Sequence, residues 1–405
     1  MPLFLRALNS RNYRLYFIGQ LVSLAGTWMQ QIAMVWLAYR LSNSAFVLGT
    51  IGFASQIPIL FFASIGGVWI DRLDRRRLMM WTQALAMVQS LGLALLAWLE
   101  WVTPGLLIGL ALLLGCINAL DVPARQSLAV QLVDDPDDLP NAIALNSFIM
   151  NAARFVGPAL AGLLVALTGE AVCFLLNALS YLAVLAALSA IRLTPKSSAR
   201  KTEAPLQALA NGYRYVLAHR PILLLMLLVT SISLFATPYA VMMPLFAKEI
   251  FNGDASTYGM LVGSAGAGSL IGSLLLASRD NVLSLNRWLG FSAPAVGICL
   301  VLFTLMPNRW LAIPVLMALG FSVIITIAGS NTLIQMQVDD HYRGRVMAIF
   351  SMAFLGIAPI GSLVVGSLAH GIGVRTTLVA CGVLSLISGL LYRHAGATAK
   401  RVQGK

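Results

Sequence analysis

Gly66-Gly67-Val68-Trp69-Ile70-Asp71-Arg72-Leu73-Asp74-Arg75-Arg76-Arg77 joins two long apolar runs, residues 45–70 and 78–99, through a short segment dense in arginine. About 20 apolar residues in a helix cross the hydrocarbon core of a bilayer. Basic residues at the end of such a run hold that end on the cytoplasmic side. The same alternation recurs along the whole chain. Further runs fall at 15–39, 104–126, 141–166, 171–191, 221–247, 257–277, 288–306, 310–333, 346–369 and 374–393, which makes twelve in all. An even number of crossings places both termini on one side.

The charges say which side. Arg6, Arg11 and Arg14 precede the first run, and Arg393, Lys400, Arg401 and Lys405 follow the last. On that same side lie the four arginines of the opening stretch, Arg125, the basic residues from Arg192 to Arg220, Arg279, Arg287, Arg343 and Arg345. Of 27 lysines and arginines, only Arg40, Lys248, Arg309 and Arg375 fall opposite, and Arg154 lies within a run. This asymmetry assigns both termini to the cytoplasm. Composition agrees: 59% of the 405 residues are hydrophobic, 10% are charged, and the mean hydropathy is +0.84. A soluble domain carries roughly 25% charged residues. The net charge of +12 flanks apolar runs instead of forming one basic face, which argues against a nucleic-acid partner. Cys116, Cys173, Cys299 and Cys381 all sit inside apolar runs and lack metal or redox spacing.

The longest connection, 192–220, divides the chain into a bundle of six helices at 1–191 and another at 221–393, with a tail at 394–405. Within it, Leu206, Leu209, Ala210, Tyr213, Val216 and Leu217 recur at helical spacing, as in an amphipathic helix lying at the membrane surface. The halves echo each other. Val133-Asp134-Asp135 after the fourth run matches Val338-Asp339-Asp340 after the tenth, and Gly49 in the second run matches Gly259 in the eighth. Paired six-helix halves fit a secondary transporter whose site lies at the bilayer midplane between them. The expected fold is therefore all-α and integral to the membrane.

Gly67-Val68-Trp69-Ile70-Asp71-Arg72-Leu73-Asp74-Arg75-Arg76 resembles the cytoplasmic-loop signature of the major facilitator superfamily, with Asp74 where that pattern has glycine. Gly26-Thr27-Trp28-Met29-Gln30, Asp121-Val122-Pro123-Ala124-Arg125-Gln126, Asn151-Ala152-Ala153-Arg154-Phe155-Val156-Gly157-Pro158 and Arg343-Gly344-Arg345-Val346-Met347-Ala348 carry the likeness across nearly the whole chain. Together they resemble the branch that contains the bacterial enterobactin exporters and related efflux proteins. The resemblance implies two six-helix bundles, alternating access and export of a small organic molecule or siderophore-like anion across the bacterial inner membrane, with protons as the counter-ion. It also implies that Gly67, Asp71, Arg72, Arg75 and Arg76 form a conformational latch. Gly157, Pro158 and Gly162 in the fifth run resemble the family's antiporter motif, with Ala153 and Ala161 at two of its glycine positions. Topogenic charge alone is the plainer account of the arginine loop, and a packing kink the plainer account of the fifth run.

Arg154 is the strongest single candidate. It lies about thirteen residues into its run, roughly 20 Å along the helix and so near the midplane. An arginine there costs at least about 2.5–3.5 kcal/mol and should face a cavity or a partner. Asp121 is the acid placed within a run, and Arg125 stands at i+4 on its helix face. Asp121, Arg125 and Arg154 together would bind an anionic group or carry a coupling proton; an ion pair holding the fourth and fifth helices together is the structural alternative. Gln30, Gln31, Gln56, Asn118 and Asn151 add amides at membrane depth, suited to lining a cavity or bonding between helices.

His219, His341, His370 and His394 are scattered, and no phosphate-binding glycine–lysine motif occurs, so neither a metal site, a cofactor nor ATP use is expected. An enzyme would need clustered His, Asp or Glu at one membrane face, and none is present. The expected partners are a small-molecule substrate, protons and anionic lipid headgroups at the cytoplasmic face, for a chain acting as a monomer. An importer or uniporter, and a non-transporting receptor or scaffold, stay open at this level.

Overall fold

A computed structural model describes residues 3–61, 74–191, 205–278 and 285–403. All regular structure among these residues is helical. The N-terminal half comprises α1 (Arg11–Ser42), α2 (Ala45–Ala54), α3 (Arg75–Trp98), α4 (Pro104–Gln131), α5 (Leu139–Thr168) and α6 (Glu170–Ala190). After the linker helix α7 (Pro205–Ala218) come α8 (Arg220–Ser231), α9 (Ala255–Ala277), α10 (Leu285–Leu305), α11 (Arg309–Gln337), α12 (Asp340–Ser351), α13 (Ile357–Ile372) and α14 (Val374–Gln403).

Eleven described helices are long and apolar enough to cross a membrane, counting α8 through to Ile250 and α12–α13 as single crossings. The second expected crossing is the shorter apolar helix Ala45–Phe61, and the rest of that run lies outside the described residues. With no water in the hydrocarbon region, each backbone N–H and C=O needs an internal partner, so helices are the form such runs must take. The lipid-facing surface is apolar, as Trp81, Leu85, Val88, Leu95, Leu167, Leu302 and Leu391 illustrate by their exposure.

The crossings start and stop where local chemistry dictates. Asp74 accepts hydrogen bonds from the backbone N–H groups of Arg76 (3.0 Å) and Arg77 (3.1 Å) and so caps the start of α3. Asp254 caps α9 in the same way; the Ser256 hydroxyl and the Thr257 backbone hold its carboxyl below the ordinary carboxylate range. Gly169 and Gly373 take positive φ of 85° at the C-terminal ends of α5 and α13, a conformation that favours glycine.

The crossing that begins with α8, the seventh expected run, departs from expectation. Instead of ending at 247, it continues to Ile250 and carries Lys248 and Glu249 within it. Its backbone widens over Ile232–Ala236, tightens over Thr237–Met242 and widens again over Phe246–Ile250. Pro238 and Pro244 each remove a backbone donor and push against the preceding turn, which shifts the hydrogen-bond register. A similar widening over Met352–Gly356 interrupts the crossing formed by α12 and α13.

Helices α1, α3, α4, α5 and α6 pack among themselves, as do α9 to α11 and α14. Two broad contacts bridge the halves, α5 on α9 and α2 on α13. Both rest on glycine. A Cβ on Gly49 would fall 2.5 Å from the Ser362 carbonyl oxygen and 2.8 Å from Gly366 Cα. One on Gly259 would fall 2.5 Å from the Pro158 oxygen and 2.6 Å from Gly162 Cα. Only hydrogen side chains let these backbones meet. The crossings are duplicates: Gly49 and Gly259 are 210 residues apart, Gly162 and Gly366 are 204 apart. By chain direction both lie on the side of the membrane away from the termini. On that side the Tyr39 hydroxyl also donates to Glu249 Oε1 at 3.2 Å, and Trp36 stacks on Tyr258 with ring centres 5.9 Å apart.

Helix α7 docks on α12. The Tyr215 hydroxyl donates to Asp339 Oδ2 at 3.0 Å, and its ring lies between those of His219 and Tyr342, 3.9 and 4.4 Å away. The buried edge is therefore Gly212, Tyr215 and Val216, while Tyr213 and Leu217 of the expected apolar face remain exposed. Protein contact takes one edge of the helix and leaves the other exposed.

Candidate functional site

Arg154 sits on α5 where three elements converge. Gly157, one turn further on, brings α1 close: a Cβ there would lie 2.5 Å from Trp28 Cβ and 3.1 Å from the Ala25 oxygen. Gly266 brings α9 against the other side, since a Cβ there would lie 2.6 Å from the Arg154 carbonyl oxygen. The irregular part of the eighth-helix crossing supplies Tyr239, which lies within electrostatic reach of the guanidinium. The site thus spans both halves.

The guanidinium carbon lies 5.1 Å from the centre of the Trp28 ring. A desolvated cation over tryptophan gains about 2 kcal/mol, which offsets part of the cost of placing the charge there. Nε of Arg154 is buried and makes no hydrogen bond. Among the described residues no acid forms an ion pair with Arg154. A cation with one face covered by an aromatic ring and a donor left unbonded on its edge is suited to a planar anionic group, which the guanidinium fork grips through two N–H bonds.

Asp121 and Arg125 come together but not with Arg154. Asp121 is 3% exposed, and its Oδ1 accepts from Thr82 Oγ1 and Gln83 Nε2, each at 2.8 Å. Its Oδ2 faces Arg125 Nε at 3.8 Å, and Arg125 Nη1 reaches Gln20 Oε1 at 3.4 Å. The pair joins α4 to α3 and α1 inside the N-terminal half. The single three-residue cluster expected from sequence is thus two sites, because Asp121 and Arg154 project from helices whose relative rotation no spacing reveals.

The amides divide as well. Gln30 is 1% exposed: its Nε2 donates to Gln89 Oε1 at 2.9 Å, while its Oε1 accepts from Ser90 Oγ at 2.5 Å and Asn177 Nδ2 at 2.6 Å. That network ties α1, α3 and α6 and occupies the amide within the bundle. Asn151, one turn before Arg154, is half-buried and donates to the Ser147 oxygen at 2.9 Å. Gln56 and Asn118 are half-buried and Gln31 is exposed. Of the expected latch, Gly67, Asp71 and Arg72 lie outside the described residues, as does the basic run from Arg192 to Lys201. Arg76 is described: its Nε and Nη2 donate to the Leu188 and Ser189 oxygens at 2.6 and 2.9 Å, closing the C-terminal end of α6. In the fifth helix, Gly157 fits Trp28, and Pro158 and Gly162 form the floor on which Gly259 rests.

Sequence reading missed Tyr239, Thr82, Gln83 and Gln20. Tyr239 had one local signal, the pair Pro238 and Pro244 in a single crossing, which marks irregular backbone of the kind that lines cavities. Among the described residues no three or more of His, Cys, Asp and Glu gather as a metal site would need.

Gly157 offers a direct check on this geometry. Gly157→Val is expected to destabilise the protein by about 1–3 kcal/mol through overpacking against α1. A lowered melting temperature together with changed Trp28 fluorescence is the result that geometry requires.

The chain is 25% identical over 384 residues to the staphyloferrin A transporter of Staphylococcus aureus, covering 93% of this chain and 94% of that one. It is 23% identical over 386 residues to the multidrug efflux pump Tap of Mycolicibacterium fortuitum, with coverage of 93% and 94%. In fold it is similar to a bacterial homologue of the human lysosomal transporter Spinster, with a TM-score of 0.74 and 14% identity over 96% of this chain and 97% of that one. A bacterial homologue of the iron transporter ferroportin aligns with a TM-score of 0.69 and 17% identity, covering 96% and 98%. These relatives are transporters and not enzymes. The family model for transmembrane secretion effectors matches residues 5–399, and the chain belongs to that family of major facilitator transporters.

Proposed function

We propose that this protein exports a small organic molecule bearing an anionic group across the bacterial inner membrane, in exchange for protons and by alternating access. The observation that carries the reading is Arg154: a cation at membrane depth between the halves, covered by Trp28 and with a buried, unbonded Nε–H. Intramembrane charge of this kind marks a substrate or ion path. Relatives named for a siderophore and for drug efflux support export of an organic molecule.

In this reading both termini are cytoplasmic, and the rocking bodies are residues 1–191 and 221–393 of a monomer. The glycine crossings then close the outer side, and the site around Arg154 is loaded from the cytoplasm. Arg76 and the neighbouring latch residues brace the cytoplasmic ends and meet anionic headgroups.

The test is efflux of catecholate siderophores and lipophilic dyes from cells with and without the protein. Substrate-specific efflux that collapses when the proton gradient is dissipated is the expected result. Accumulation on expression would make the chain an importer, and no movement of any compound would make it a receptor or scaffold.

A further inference from the structure

We propose that the repeated Val-Asp-Asp turn is one jaw of a clasp that holds the first and fifth crossings of each half in register. Through Tyr13, the N-terminal clasp positions Arg154 beneath Trp28. Its bearing on transport rests on the Arg154 reading above, while the clasp itself is built at the far end of the same helices.

The turn after α4 and the turn after α11 make the same contact, 205 residues apart. In the N-terminal half the backbone N–H of Asp134 donates to Ser10 Oγ at 3.1 Å, and Ser10 is the residue before α1. In the C-terminal half the backbone N–H of Asp339 donates to the Tyr215 hydroxyl at 3.2 Å. That hydroxyl donates in turn to Asp339 Oδ2, and Tyr215 lies in α7 just ahead of α8. Each turn thus grips the segment that leads into the first crossing of its own half. Neighbouring contacts tighten the grip. The Ala7 N–H donates to Asn141 Oδ1 at 3.0 Å, and the Tyr13 hydroxyl donates to the Ala142 oxygen at 2.7 Å. Gly212 rests on α12, where a Cβ would fall 3.1 Å from Arg345 Cβ.

The clasp is one of two fixed points between parallel helices. Tyr13 of α1 and Ala142 of α5 are 129 residues apart. Trp28 and Gly157, which meet beside Arg154, are also 129 apart. Between these points Leu24 packs with Ile149 and Ala153. The two helices therefore keep one register from Tyr13 to Trp28, about 22 Å. The C-terminal half repeats the scheme. A Cβ on Gly361 of α13 would meet the Leu234 oxygen and lie 2.8 Å from Pro238 Cγ. Gly157 and Gly361 are 204 residues apart, the spacing of Gly162 and Gly366.

A smooth glycine crossing lets a helix slide; a second, directional contact stops it. Tyr13 is fully buried, so its bond is shielded from water and costly to lose. A one-residue screw of α5 would carry Arg154 about 1.5 Å along the axis and about 100° around it. The guanidinium carbon already stands 5.1 Å from the Trp28 ring centre. Cation–ring attraction fades beyond about 6 Å, so a slip of about 1 Å is enough to weaken it.

The experiment is fluorine NMR of the full chain in lipid nanodiscs, labelled throughout with 5-fluorotryptophan. The line missing from Trp28→Phe is that of Trp28. Arg154→Ala should displace this line, and no displacement overturns the proposal at once. Tyr13→Phe removes only the hydroxyl and should move the Trp28 line toward its Arg154→Ala position. In the Arg154→Ala background the same change should move it no further. The lines of exposed Trp81, Trp98 and Trp101 should stay in place, and Tyr215→Phe should leave Trp28 alone. A Trp28 line unmoved by Tyr13→Phe overturns the proposal even if the melting temperature falls, because the bond then only stabilises. Movement of every line, or equal movement in Tyr215→Phe, is general loosening and overturns it too. In cells, Tyr13→Phe should raise KM by about three- to tenfold at unchanged turnover, the worth of one buried hydrogen bond, for a catecholate siderophore that the unsubstituted protein exports. Efflux lost in Arg154→Ala but with KM unchanged in Tyr13→Phe overturns the positioning role. Efflux indifferent to Arg154→Ala, with the Trp28 line still following Tyr13, sinks the substrate-site reading and leaves the clasp standing.

Discussion

Arg154→Ala is expected to lower transport of an anionic substrate by roughly 30-fold or more while leaving the amount and folding of the protein unchanged. Losing one member of a buried charge contact costs about 2–5 kcal/mol of binding, and each 1.4 kcal/mol is about tenfold in affinity. Stability should behave in the opposite way. Arg154 forms no ion pair among the described residues and leaves its Nε unbonded, so its removal breaks no salt link. It even relieves the cost of holding a charge at depth. A structural arginine would show the reverse pattern, lost protein with little change in turnover per molecule. Arg154→Lys separates charge from shape: lysine keeps the cation but lacks the planar fork. Partial recovery by lysine points to simple attraction, whereas activity as low as with alanine shows that two-point recognition is needed. Efflux rates normalised to membrane abundance, with melting temperatures alongside, decide among these outcomes.

The second large effect is expected at the paired glycines. Gly49→Leu and Gly259→Leu each place a side chain where a Cβ alone would fall 2.5 Å from a backbone oxygen of the other half. Overpacking costs about 1–3 kcal/mol, and here it falls only on the state in which the halves meet. A coupling of that size shifts a two-state equilibrium by about 5–150-fold. The two crossings are separate, so the double variant should add the two effects. Transport should fall to background while substrate still binds from the side opposite the termini. Spin labels on the α1–α2 turn and on the turn before α9 should move apart in electron–electron resonance measurements. Unchanged label distances with normal transport would show that the close approach plays no part in gating.

Much of this was legible before any coordinates. The basic residues flanking the apolar runs, from Arg6 to Arg393, assigned the class and the orientation to be tested, because lipid leaves a chain few choices and charge placement is read locally. Arg154 stood out for the same reason: a charge deep in an apolar run needs no neighbour to be noticed. The match of Gly49 with Gly259 was also visible as a repeat, though not what each glycine touches.

The rest depended on rotation and depth, which a run of apolar letters does not record. The sequence placed Arg154 near the midplane and Asp121 with Arg125 toward the cytoplasmic end of the fourth run, and grouped the three; tertiary packing separated Arg154 beneath Trp28 from Asp121 beside Gln83. Gln30 read as an amide suited either to a cavity or to a bond between helices, and packing decided for the second by joining it to Gln89, Ser90 and Asn177. Tyr239 reached the site only because two prolines disturb the eighth-helix crossing. By itself the sequence determined that this chain crosses a membrane as two related helical halves, since hydropathy and charge act residue by residue. Which polar groups face each other, and where the halves touch, was decided by helices turning about their axes until glycine met glycine.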